Sequence, residues 1–549
     1  MSDRPARSRV LPVHAHSRRP SSASLAVLAV ALALGACTVL PRVPAVANGP
    51  AGEAAACDAL AARLDEAVRA AGVGDAQQAR VAPARWLRVD RFDASFAAEM
   101  VSDAATHAWL ERLRAADADA RRVEVSNLPR ATLAALADAA PGATLAAGPA
   151  DTAPTPAAGR ADAASTPATV RADAASTLAT AIARCGRSET AALARDIDAL
   201  GRVRAAARVP DDYVGWQRAL GLYPIAVLPF GAGVRREEAR GRAAFARNAA
   251  HIAEGTIRYA PAPPDSATPA IVPASLTRDA LGVPVLDARE RVALLARHAP
   301  VLALAGGGPD DRFGRPTLDS NDRAAVDTSE PWLHGRVAFT RWEGAIRIQL
   351  VYTAWFPRRP STGALDLLAG HLDGVILRLT LDEDGRVAMV DAIHACGCWH
   401  LFVPVGERRV RPPPVAGEEW AFVPARLAAV PLGARVRIRL ATGTHALEGI
   451  DTVGPEVVAD ASYRLADEDT LRTLPRPGGG TRSLYDPRGL VPGTERAERW
   501  LFWPMGIADA GSMRQWGRHA TAFVGRRHFD EPDLLERRFE PGVPVPGDD

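Results

Sequence analysis

Apolar residues recur three and four apart through most of the chain from Glu53 to Ile257. In GEAAACDALAARLDEAVRAAG, Leu60, Leu64 and Val68 share one helical face, and LATAIARCGRSETAALARDIDAL repeats the pattern. The region 53–258 therefore reads as mainly helical, with a low-complexity insert over 140–180. Inside that insert Arg160 begins RADAASTPATV and Arg171 begins RADAASTLATA, a duplication read as an expanded surface loop. The segment ALGLYPIAVLPFGAGV, bounded by prolines and glycines, reads as a strand or a buried loop, and the Pro-rich 259–285 as a linker.

Beyond it the period changes. RVAFTRWEGAIRIQLVYTAWFP reads as two strands joined at Glu343-Gly344, and DGVILRLTLDEDGRVAMVDAIH as a second hairpin turning at Asp382–Gly385. A glycine-bulge turn there pairs Asp382 with Arg386, which puts Leu377 opposite Asp391 and Leu372 opposite Cys396. RVRIRLATG adds a strand, so an antiparallel sheet is expected from about His334 to His445. Near the end, Met513, Trp516, Ala520 and Phe523 share one helical face after Asp509 as N-cap. The fold class is thus α+β: a helical amino-terminal half, and a sheet-centred domain over 286–549 closed by a carboxyl-terminal helix.

Composition narrows the chemistry. All 66 basic residues are arginine, which excludes a Walker-type lysine, a Schiff base and a lysine general base. A formal net charge of +2 argues against nucleic acid as a partner, because phosphate binding needs a concentrated basic excess.

The amino terminus carries an address. Arg4, Arg7, Arg9, Arg18 and Arg19 precede an apolar run from Leu25 to Leu34, too short to span a bilayer as a mature helix. The run ends in Leu34-Gly35-Ala36-Cys37, which resembles the lipobox of bacterial lipoproteins. That resemblance implies a signal peptide over 1–36, lipidation of Cys37, a tether over 37–52, and anchoring to the membrane. Thr38, where an inner-membrane retention signal has Asp, implies the outer membrane with the globular part facing the periplasm. An ordinary signal peptide cleaved after Ala36 is the alternative.

Four cysteines then remain. Cys57 and Cys185 lie in the two helical stretches, and a bridge between them would close a long loop. The other two belong to HACGCWH, His394 to His400. On a strand His394, Cys396, Cys398 and His400 share a face at about 6.5–7 Å per step. Four ligands would then span roughly 20 Å, too far for one tetrahedral ion. A Cys396–Cys398 disulfide also needs the chain to turn. Both readings require a bend at Gly397. As metal ligands, His394, Cys396, Cys398, His400 and, across the hairpin, His371 suit zinc or copper.

QLVYTAWFP, HLDGVILRLTLDEDGR and MRQWGRHATAFVGRRHF resemble strings in bacterial envelope proteins, a likeness that brings no catalytic residue. Three function classes follow. The first is a non-catalytic binding or structural protein of the envelope, with a protein or glycan partner. The second is a metal-dependent hydrolase with His394 or His400 beside Asp373 and Asp391. The third is a metal or thiol-redox protein using the HACGCWH segment.

Overall fold

In the computed structural model the chain divides into two units, Met1–Gly49 and Pro50–Asp549. The structure describes residues 50–141, 167–248, 255–262, 271–306, 308–363, 366–455 and 457–542. The lipobox, Cys37 and nearly all of the tether lie outside them.

Ten described strands share one sheet. In chain order they are β1 (Thr256–Pro261), β2 (Val301–Ala305), β3 (Trp332–Trp342), β4 (Ala345–Arg359), β5 (Gly370–Leu381), β6 (Val387–His394), β7 (Leu401–Pro404), β8 (Arg435–Leu440), β9 (Leu447–Val453) and β10 (Ala461–Asp467). Across the sheet they run β7-β6-β5-β4-β3-β10-β1-β2-β8-β9. The run from β3 to β7 is antiparallel, as the hairpin signals predict. The sheet as a whole is mixed, because β3–β10, β10–β1 and β2–β8 pair in parallel. These are pairings between strands distant in sequence, which no local turn specifies. The strand β1 also carries the start of the Pro-rich stretch into the sheet.

Turn chemistry sets the first hairpin. Glu343 and Gly344 both take positive φ, 53° and 70°, the geometry that suits a two-residue connection. The second hairpin turns at Gly385, φ 81°, with Asp382 N–H donating to the Arg386 carbonyl at 2.9 Å. Its register then departs from expectation. A bulge between Val387 and Met389 inserts one residue, so Leu377 faces Ala392 and Asp391 faces Arg378. The slip places a carboxylate directly across from a guanidinium inside the sheet, where they pair at 2.6 Å.

Strands β4, β5 and β6 are buried on both faces, which explains their nearly unbroken apolar runs. One face, with Leu350, Tyr352, Leu377 and Leu379, packs against α6 (Ala288–His298) and the strands around β1. The other, with Val351, Ile376, Ile393 and Cys396, is covered by the carboxyl-terminal segment through Leu484, Met513, Trp516 and Phe529.

That covering segment is not the predicted helix. Asp509 itself has φ 48°, and Gly511, Gly517 and Gly525 have φ of 87°, 80° and 96°. Two of its N–H groups bond outward, Arg514 to the Ala395 carbonyl at 2.9 Å and Gln515 to the Gly489 carbonyl at 2.8 Å. The helix that does occur near the carboxyl end is the short Leu534–Arg538.

The amino-terminal half is helical, with α1 (Pro50–Ala71), α2 (Asp103–Asn127), α3 (Pro167–Leu193), α4 (Gly215–Leu220) and α5 (Tyr223–Asn248). Leu60, Leu64 and Val68 are buried on α1, as their spacing predicts, against Leu178 and Ile182 of α3. Cys57 and Cys185 form the expected disulfide, closing a sequence separation of 128. The second copy of the duplication, Arg171–Ala181, is part of α3 rather than a loop. The stretch read as a strand or buried loop is helical too, as α4 and the start of α5, and much of its apolar surface is exposed.

Candidate thiol and carboxylate site

The chain does bend at Gly397. Its φ is 91°, its N–H donates to the His394 carbonyl at 2.7 Å, and His394 N–H donates to the Cys398 carbonyl at 2.9 Å. A Cβ at this position would fall 2.7 Å from the Ala520 carbonyl oxygen, so only glycine fits. The hairpin between β6 and β7 therefore carries both cysteines on its connection. Both are unbridged: Cys396 is buried at 8% exposure, while Cys398 is partly exposed.

The bulge in β6 determines what stands beside them. Pairing with β5 continues past His394 to Ala395 N–H and the Gly374 carbonyl, at 2.8 Å, which brings Asp373 next to the turn. Asp373 is fully buried. It takes His445 Nδ1 at 2.8 Å on one oxygen and Arg496 Nη2 at 3.1 Å on the other, with His394 Nδ1 at 3.8 Å. His445, in the connection between β8 and β9, lies flat on Phe356 at 3.8 Å between ring centres. Its other nitrogen is 3.5 Å from Asp311. Asp373 thus gathers the segments of β5, His445 and Arg496 beside the cysteine turn.

Glu498 completes the group. It is 2% exposed and opens a helical turn, Glu498–Leu501, whose first N–H donates to the Leu367 carbonyl at 3.1 Å. With Asp366, Leu367, Leu501 and Phe502 it lines a cleft of about 460 Å³. Among the described residues, His394 Nε2, His445 Nε2 and Glu498 Oε2 are buried without a hydrogen-bond partner.

The electrostatics favour one thiolate. A hydrogen bond from the Cys398 thiol brings Cys396 down to about 6 against the cost of burial, with His394 and Arg496 helping. The same hydrogen bond, with burial, holds Cys398 well above the ordinary thiol range. Burial, with the Cys396 charge, pushes Glu498 up to about 8. Burial works against ionisation of Asp373 too, but the two imidazoles and Arg496 prevail and keep it ionised.

Two of the predicted ligands are elsewhere. His371 Nε2 is 2.7 Å from the Ala324 carbonyl, so the cross-strand placement is not met. His400 follows Trp399, whose φ of 62° breaks the alternation of faces. Its Nε2 is 2.9 Å from Asp391 and its Nδ1 is 3.3 Å from Thr521, and burial brings it down to about 3. Among the described residues no three His, Cys, Asp or Glu side chains are arranged to hold a metal ion. The five proposed zinc or copper ligands are not brought together. Asp391 is held by Arg378 at 2.6 and 3.0 Å as well as by His400, and all three are buried.

Sequence reasoning named Asp373 as a carboxylate beside His394, but missed His445, Arg496, Glu498 and Asp311. Nothing local marks them: THALEG and TERAER carry no motif, and only the long-range pairing assembles them. Comparison with protein-family models, curated proteins and solved structures yields no match.

Proposed function

We propose that the chain is an exported, lipid-anchored envelope protein that exchanges disulfides with substrate thiols through Cys396 and Cys398. The observation that carries this reading is the Gly397 turn, which holds two unbridged cysteines of unequal exposure together. In the oxidised protein a substrate thiolate attacks Cys398, the more exposed of the two residues. The Cys396–Cys398 bond breaks and Cys396 departs as the thiolate, which the neighbouring His394 and Arg496 favour; the hydrogen bond from the Cys398 thiol is added once Cys398 is released and protonated. A second substrate thiolate then attacks the substrate sulfur of the mixed disulfide. Cys398 is released and takes a proton from the Glu498 carboxyl. Two electrons pass from substrate to protein, and a small-molecule disulfide restores the oxidised pair. Stabilising the reduced form in this way makes the disulfide an oxidant.

The metal-dependent hydrolase reading draws less support, because Asp391 and His400 are tied to each other and to Arg378 and Thr521. A non-catalytic binding role is the second reading. It is favoured by the apolar surface around Trp216 and Trp500, which are 59% and 71% exposed.

The test is equilibration of the full chain in glutathione buffers of graded potential, acid quench, maleimide labelling and intact mass. The expected result is a two-thiol transition confined to Cys396 and Cys398 at a higher potential than that of Cys57–Cys185. Cys396→Ser, first capped at Cys398 by a small-molecule disulfide, should exchange that cap for a substrate carrying one thiol and hold it on Cys398 as a mixed disulfide. Two thiols that stay labelled in the most oxidising buffer would sink the reading.

A further inference from the structure

An exposed apolar surface of this size on an exported protein needs an occupant. Leu220, Leu222, Ile225 and Leu228, at the α4–α5 corner, are 61–70% exposed, and Trp216 and Trp500 extend the same surface. The two chain segments form one face: Trp216 packs edge-on against Trp503 at 5.7 Å between ring centres, and Phe230 against Phe502 at 5.5 Å. Gly221 lets them meet, since a Cβ there would fall 2.6 Å from Pro504 Cα.

The exposed stripe of α5 changes character along its length. Its first turns present Ile225 and Leu228, and later turns present Arg235, Arg236, Arg240, Arg242 and Arg247. Glu237 and Glu238 pair with Arg240 and Arg242, which leaves Arg235, Arg236 and Arg247 without an ion pair among the described residues. From Leu228 to Arg235 the helix rises about 10 Å, comparable to the depth between acyl chains and headgroups. Arg499 lies over the Trp500 ring at 4.8 Å, so a second cation borders the apolar face. No described helix is long and apolar enough to cross a membrane.

We propose that this face is a membrane-docking surface. Trp216, Leu220, Ile225, Leu228 and Trp500 enter the interface of an anionic phospholipid bilayer, and the α5 arginines meet its headgroups. The choice of a bilayer over a protein rests on charge complementarity: apolar side chains and tryptophans at one end of the stripe, unpaired arginines at the other. The contact is independent of acylation at Cys37 and of the thiol chemistry. It would place the cleft beside Glu498 near the interface, because Leu501 and Phe502 belong to both surfaces.

The experiment uses the full chain with Cys37→Ser, which removes any acyl anchor, and sedimentation with vesicles of phosphatidylglycerol and phosphatidylethanolamine. Ile225→Ser/Leu228→Ser/Trp500→Ser should lower partitioning at least ten-fold with an unchanged unfolding curve. Arg235→Gln/Arg236→Gln should lower it roughly five-fold for each arginine on anionic vesicles and leave phosphatidylcholine vesicles unaffected. Equal binding by parent and triple variant would assign the membrane contact to another part of the chain and overturn the proposal. So would a parent that ignores vesicles but self-associates in solution through this face.

Discussion

His445 Nδ1 stands 2.8 Å from Asp373 Oδ2, so the connection between β8 and β9 is fastened to the start of β5 on the far side of the sheet order. The same carboxylate receives Arg496, which donates to the Leu372 carbonyl at 2.9 Å. One buried side chain therefore ties three distant segments to the cysteine turn. Asp373→Asn leaves a buried guanidinium without its counter-charge, and the expected loss is about 3–5 kcal/mol by urea unfolding at pH 7. The sign with pH is definite. Asp373 is held below its unfolded value, so its contribution is complete above about pH 4 and fades as acid approaches the folded value. The gap between parent and variant should be flat from pH 5 to 8 and narrow below pH 4. A gap that widens in acid would contradict the ionised assignment.

Glu498 works in the opposite direction. Burial and the nearby Cys396 charge push it up to about 8, so the folded state holds a proton that the unfolded chain releases near 4.5. Its contribution to stability falls as pH rises between those values. Glu498→Gln should match the parent near pH 4 and become the more stable protein by up to about 4 kcal/mol at pH 8. In the thiol reading the variant also loses its proton donor, so release of Cys398 should slow while the acidity of Cys396 changes little. Equal stability of the two proteins across this range would mean that Glu498 ionises normally.

His334 supplies a control away from the cysteine turn. It is buried in β3, and desolvation brings it down to about 3. The unfolded chain takes up a proton there near pH 6.5, and the native state does not. Its stabilisation is complete above that value and is lost as pH falls towards the folded one. The parent should lose up to about 1.4 kcal/mol per pH unit relative to His334→Gln between pH 6 and 4. Parallel urea midpoints for the two proteins over that range would refute it.

What was legible in the sequence was what local chemistry decides. Glu343-Gly344 and Asp382–Gly385 turn the chain because few residue pairs accept those backbone angles, and a bend at Gly397 follows from the reach of a strand. The register of the second hairpin was legible only up to Val387, which faces Leu381 as expected. Beyond it a bulge adds a residue at Ala388, and nothing in VAMVD distinguishes that residue from its neighbours. This one step explains why Asp373, rather than His371, stands by the cysteines. The segment from Asp509 failed for another reason. Met513, Trp516, Ala520 and Phe523 have helical spacing, but backbone groups of this segment bond to other segments, and Gly517 between them adopts a left-handed angle. Periodicity reports which residues want burial and is silent on where their N–H groups bond.

The disulfide gives the last prediction, and it separates the two cysteine pairs. Cys57 and Cys185 join α1 to α3 across a sequence separation of 128 within an apolar layer that includes Leu60, Leu64 and Leu178. Chain entropy values such a link at about 4–5 kcal/mol, because an open unfolded chain has more conformations to lose. Cys57→Ala/Cys185→Ala should therefore lower stability by that order, with Cys398 still labelled by maleimide in the folded protein. Cys396→Ala/Cys398→Ala should cost far less, since no bridge closes that turn in the structure and the segment is fixed by Gly397, Asp373 and Arg514. Unfolding curves of the two double variants, measured side by side, decide the point. If removing Cys396 and Cys398 costs as much as removing Cys57 and Cys185, the turn is structural and the thiol chemistry proposed for it fails.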